Sequence, residues 1–187
     1  MKTLKNHAPR PAGTPLVADD ILEFHAGRIL LLLATCGGST GTINGLTKMA
    51  KLDFLVRYPD FFEVMRRGGG SPHIRGDGIV EAAMVRHHYG PWDKRYYHVL
   101  AFLESRGLIT VKRSGKSFRL ALTRRGKALA NRFAEMTAFE TVRRQMGAVA
   151  ERFGRSTGNE LKAMIYAIFD EEIGQQPIGH VIGERAR

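Results

Sequence analysis

The segment Leu108–Leu122 constrains this chain more than any other. Leu108-Ile-Thr-Val-Lys-Arg113 and Lys116-Ser-Phe-Arg-Leu-Ala-Leu122 are β-prone runs on either side of Ser114-Gly115, the signature of a tight hairpin. Helix punctuation brackets it. Gly107 closes the helical segment before it, and Thr123 can cap the one after it. A two-stranded hairpin is marginal on its own in water, so this one must lean on helices.

Helical signals fill most of the rest. Asp20 with Glu23 forms a capping pair that predicts a helix from Ile21 to about Thr35, and its run Ile29–Ala34 is apolar all round and therefore buried. Asn44 can cap a second helix carrying Leu46, Met49, Leu52, Phe54 and Leu55 to about Tyr58. Pro59 stops it and can open a short helix through Met65. Residues 66–78 are the most loop-like stretch. A helix from Ile79 to His88 is expected next, broken at Gly90-Pro91, and Pro91 suits the first turn of a helix reaching Arg106. After the hairpin, Leu129, Phe133 and Met136 share one helix face. Phe139, Val142, Met146, Val149 and Phe153 then form a narrow 3-4 seam, which can pack on the chain's own last helix or on another chain; partner contact is the expectation. Thr157 and Glu160 make a capping box for a helix with Leu161, Met164, Ile165, Ile168 and Phe169 inward. The tail from Gly174 reads as extended.

Helices followed by a two-stranded wing predict a mainly α, winged helix-turn-helix fold with a C-terminal helical arm. The divisions expected are an extended N-terminal arm over 1–18, a winged-helix domain over 19–136, and the arm and tail over 137–187.

Charge speaks to partners. The 187 residues carry 29 Lys+Arg against 18 Asp+Glu, a net +11, which points to a polyanion. Residues 91–130 hold ten of those cations and only Asp93 and Glu104 as acids, a net +8. Lys112, Arg113, Lys116 and Arg119 fall on the wing. Arg124 and Arg125 fall at a helix start, where backbone N–H groups also favour phosphate, and Lys94 and Arg95 open the helix before the wing. These eight residues are the candidate contacts to double-stranded DNA; a solvated basic face is the plain alternative. The helix offers Lys94, Arg95 and His98 to base edges but no Asn or Gln for adenine. Residues 157–187 hold five acids against three bases, so that end is not the nucleic-acid face.

Other chemistry finds little support. The single cysteine, Cys36, excludes an intramolecular disulfide and a Cys-rich zinc site, and reads as a buried structural thiol. Adjacent His87 and His88 on a helix would not share a face, so no metal is expected there, nor any cofactor. The glycine clusters at 37–45 and 68–70 do not match a phosphate-binding loop, and no hydrolase, zinc-protease or deaminase motif appears; a non-enzyme is expected. No apolar run approaches the roughly 20 residues of a membrane span and no secretory signal is recognisable, so a cytoplasmic protein without membrane contact is expected.

Two strings carry a resemblance. Gly45-Leu-Thr-Lys-Met-Ala-Lys-Leu-Asp-Phe-Leu-Val-Arg-Tyr-Pro59 and Tyr89-Gly-Pro-Trp-Asp-Lys-Arg-Tyr96 resemble the small middle components of ABC-three-component bacterial conflict systems, the class that includes Lamassu-type antiphage defence. The resemblance covers about residues 21–125. It implies an accessory subunit working beside an SMC-like ABC ATPase and an effector such as a nuclease. Physically, Leu46, Leu52, Phe54 and Leu55 read as core, and Trp92 and Tyr96 as anchors of a helix start. Asp53 needs a partner if buried, with Lys48 or Arg57 one turn away. The competing reading is a free-standing dimeric transcription regulator of the MarR or PadR type; an enzyme with an unrecognised motif ranks third.

Overall fold

The computed structural model describes residues 21–70, 84–88 and 90–182. They are mainly helical, with two small antiparallel sheets. Helix α1 (Leu22–Cys36) is the central element, and Ile29–Leu33 are each no more than 2% exposed. An all-round apolar helix can only be satisfied by neighbours on every side. Here α2 (Leu46–Arg57), α4 (Tyr96–Ser105), α5 (Arg124–Ala134) and α6 (Glu140–Phe153) all pack on it. The predicted cap Asp20 lies outside the described residues.

Strand β1 (Thr42–Asn44) follows α1, and α2 follows β1 directly. Asn44 does not cap α2, because it is the last residue of β1. The turn is made at Gly45, whose φ of +98° a side chain would resist, and whose N–H donates to the Phe118 carbonyl. Helix α3 (Pro59–Arg67) starts on its proline and runs through Arg66 and Arg67, two residues expected in the loop.

The segment after α3 departs most from the sequence expectation. Residues 71–83, most of the loop and the start of the helix predicted over Ile79–His88, lie outside the described residues, but Val85–His87 form strand β2, paired with β3 (Gly90–Trp92). Pro91 therefore sits in a strand, and α4 begins five residues later at Tyr96. Tertiary pairing overrides the local preference. The tail returns to β2, where Arg86 N–H donates to His180 O and Gly179 N–H to Arg86 O, each at 2.7 Å. A proline is tolerated there because it needs no ladder donor in so short a strand.

The hairpin forms where expected, as β4 (Ile109–Ser114) and β5 (Ser117–Leu122). Strand β1 joins the far side of β5, so the sheet order is β1-β5-β4. Ile43, Leu120 and Val111 line its inner face; Asn44, Arg119 and Lys112 stand in a row on the outer face. Thr123 caps α5, its hydroxyl accepting from Gly126 N–H at 3.0 Å and donating to Gly107 O at 2.8 Å. Gly126 has no room for a side chain, since a Cβ there would meet the Leu108 carbonyl.

Helices α6 and α7 (Gly158–Ile168) do not form a separate arm. Met146, Val149, Phe153, Leu161, Ile165 and Phe169 belong to the same buried cluster as α1 and α2. The expected boundary at 136/137 thus does not divide the core. The Thr157–Glu160 capping box forms as predicted. Among the described residues no helix is long and apolar enough to cross a membrane.

Candidate nucleic-acid interface

The two strings that carry the resemblance meet each other. Helix α2 supplies Lys51, Asp53 and Arg57; the segment leading into α4 supplies Pro91, Asp93 and Tyr96. Asp53 is fully buried and accepts the Tyr96 hydroxyl at 2.7 Å. Arg57 donates to Asp93 at 2.8 Å, and Lys51 donates its ammonium to the Pro91 carbonyl at 2.9 Å. The strongest partner of Asp53 comes from elsewhere: Arg28 on α1 reaches it through two N–H groups at 2.9 and 3.2 Å. Of the two partners expected from α2 itself, Arg57 stands 3.9 Å away, and Lys48 turns to the Gly154 carbonyl instead. Sequence reasoning missed Arg28. Its signal was present, since it is the one cation of α1, next to the apolar run Ile29–Leu33, and must find a buried counter-ion.

The electrostatics of this network are those of a fixed support. Burial alone would push the Asp93 carboxyl up, but hydrogen bonds from Arg95 and the charge of Arg57 outweigh it and hold it well below the usual carboxylate range. Burial raises Tyr96, which stays a hydroxyl donor. Lys51 is brought down to about 7 by burial, with the nearby charge of Lys162 adding to the effect. Together these contacts fix the start of α4 on α1 and α2, with Trp92 and Tyr96 buried as anchors.

What this leaves at the surface is a basic β4–β5 hairpin. Lys112 and Arg119 are directly opposite on the outer face of the sheet. Like charges in cross-strand register are unfavourable, so the pair costs the fold something. Lys112, Arg113, Lys116, Arg119, Arg124 and Arg125 are all exposed, and among the described residues none is paired with a carboxylate. Four acids of the fold are committed elsewhere. Asp53 and Asp93 face the buried arginines, Glu104 accepts Val111 N–H at 2.8 Å, and Glu160 closes its capping box. Arg124 and Arg125 are positioned by the Thr123 cap at the base of the wing.

Helix α4 presents Tyr97, His98, Ala101, Glu104 and Ser105 to solvent, with Lys94 exposed just before it. Tyr97 is 62% exposed and leans on Trp92 at 5.8 Å. Arg95 departs from expectation, because its guanidinium is held by Asp93 at 2.8 Å and by His25 at 2.9 Å. It braces the helix start rather than extending toward a groove.

The 139–153 seam also departs from expectation. Phe139, Met146, Val149 and Phe153 are buried within the chain and Val142 is half-buried, so these residues are not a surface for a partner. They pack on α1, α2 and α3, with Phe139 stacked on Phe24 at 5.3 Å and Phe153 edge-on to Phe62 at 6.0 Å. Periodicity identified the buried stripe but could not say what covers it. Cys36 is buried, which pushes its thiol up to about 12 and makes it a poor nucleophile. His87 and His88 contact edge-on, and no cluster suited to a metal ion occurs among the described residues. Comparison of the chain with protein-family models, with curated proteins and with solved structures returned no match.

Proposed function

We propose that the chain is a winged-helix protein in which α4 and the β4–β5 wing contact double-stranded DNA. In this reading it serves as a non-enzymatic accessory subunit of an SMC-like ABC ATPase in an antiphage defence complex, beside a nuclease effector. The connectivity α1-β1-α2, then α4-β4-β5 with sheet order β1-β5-β4, supports the winged-helix reading. Helix α3 and the β2–β3 hairpin are an insertion between the second and third helices of that plan.

The observation that carries DNA contact is the uncompensated row of cations. Lys112 and Arg119 face each other across the β4–β5 hairpin at a cost to folding, and among the described residues neither is paired with a carboxylate. Phosphates of a duplex would repay that repulsion through counter-ion release. The Tyr97–His98 face of α4 would then lie against the groove.

The accessory-subunit part rests on the resemblance of the two strings. A regulator dimerising through the 139–153 seam loses its interface, because that seam is buried in the monomer. Two experiments separate the parts. Changing Lys112, Arg113 and Lys116 to Glu should weaken duplex binding while the thermal melt is kept; unchanged affinity at physiological salt refutes the DNA placement. Affinity purification from the native host after nuclease treatment should bring down a large ATPase in fixed ratio; a homodimer alone refutes the subunit role.

A further inference from the structure

A cavity of about 410 Å³ opens between α1, α4 and α5, away from the outer face of the wing. Each helix turns one full face toward it. From α5 the face reads Arg125, Ala128, Leu129, Arg132 and Phe133, which is i, i+3, i+4, i+7 and i+8. Helix α4 gives Phe102 and Leu103, Arg106 follows at its C-terminal cap, and α1 closes the floor with Ala26 and Leu30. The walls are thus aliphatic and aromatic, and the rim carries three arginines.

Among the described residues the rim is not neutralised. Glu23 is the only acid lining the cavity, and no ion pair joins it to Arg106, Arg125 or Arg132 among the described residues. Arg106 is held in place over the Phe102 ring, 5.0 Å from its centroid. Ala128, set between Arg125 and Arg132 on the helix, keeps the mouth open. The volume lies in the range of small-molecule sites, and an apolar body with a few convergent polar groups is their usual composition.

We propose that this cavity binds a small amphiphilic anion, with an apolar aryl or alkyl body against Phe102, Leu129 and Phe133 and a carboxylate or sulfonate against Arg106 and Arg132. Charge complementarity selects the anion, and the three-sided enclosure selects a small ligand over a flat protein surface. The site does not depend on the DNA reading, and the two arginines used to test it are not among the wing residues.

The test uses the intact chain. Titration with 8-anilinonaphthalene-1-sulfonate should give saturable fluorescence at one equivalent, displaced by decanoate and not by 1-decanol. Ala128→Trp, an exposed position, should abolish the signal by filling the mouth. Arg106→Gln and Arg132→Gln should each weaken decanoate about tenfold, the loss of one charged hydrogen bond. Unchanged melting curves would show that the variants fold. Absent saturable binding, equal displacement by decanol, or a signal unaffected by Ala128→Trp would each overturn the proposal. Displacement by a peptide of residues 1–20 at the same concentration as decanoate would also overturn it, assigning the groove to the chain's own N-terminal segment.

Discussion

Lys51 offers the most quantitative test of the buried network. Its ammonium is fully buried on α2 and donates to one carbonyl, that of Pro91. Burial lowers it from 10.5 to about 7, and the charge of Lys162 acts in the same direction. Between those two values the unfolded chain holds a proton that the folded chain does not. Stability therefore rises with pH in that window and levels off below pH 7, where both states are protonated. At 1.36 kcal/mol per unit, the Lys51 contribution grows by about 2 kcal/mol between pH 7 and pH 9. Lys51→Met keeps the length of the side chain and removes the titration. Urea unfolding of both proteins at pH 7, 8 and 9 isolates the difference. The buried thiol of Cys36 and the buried Tyr96 act in the opposite sense at higher pH, and they cancel in the comparison. His87, lowered from 6.5, titrates below the window. A stability difference that stays constant across pH 7–9 would refute the assignment of a neutral buried amine.

Three further outcomes follow from the packing and the charges. Arg28→Met should destabilise by about 3–5 kcal/mol, because it leaves the Asp53 carboxylate buried with only Tyr96 and a distant Arg57; combining it with Asp53→Leu should cost less than the sum, read from a double-mutant cycle in urea. Phe153→Ala should cost about 3–5 kcal/mol with no change in mass by light scattering, since that ring packs on Phe62 inside the chain; dissociation of an oligomer would restore the partner reading. Arg119→Ala should leave the melting temperature equal or higher, by relieving the Lys112 contact across the sheet, while lowering duplex affinity; a lower melting temperature would mean the pair supports the fold.

How much was legible in the sequence depends on whether the signal was local. The β4–β5 hairpin, the Thr123 cap and the Thr157–Glu160 box were readable because turn and cap chemistry acts over three or four residues. The β2–β3 hairpin was not, because Val85 becomes a strand through Trp92 and a bridge to Val181, nearly a hundred residues on. The seam was located but misassigned. Its period marks burial, and only the fold shows that α1, α2 and α3 supply the cover. Of the candidate contacts, those on the wing and α5 remain exposed, but Arg95 was already claimed by Asp93 two residues before it. That pairing was visible in the sequence once Asp93 is recognised as one of only two acids in a segment with ten cations.

If the cations of the β4–β5 hairpin bind phosphate, duplex affinity must fall steeply with salt. Fluorescence anisotropy of a labelled duplex across 50–300 mM KCl, for the parent chain and for Lys112→Ala, Arg113→Ala, Lys116→Ala and Arg119→Ala together, gives the slope of log affinity against log salt. Each phosphate contact contributes about −0.9 to that slope. A slope shallower by about 3–4 is expected for the quadruple variant, with its melting curve retained. A slope unchanged by removing all four cations would contradict it.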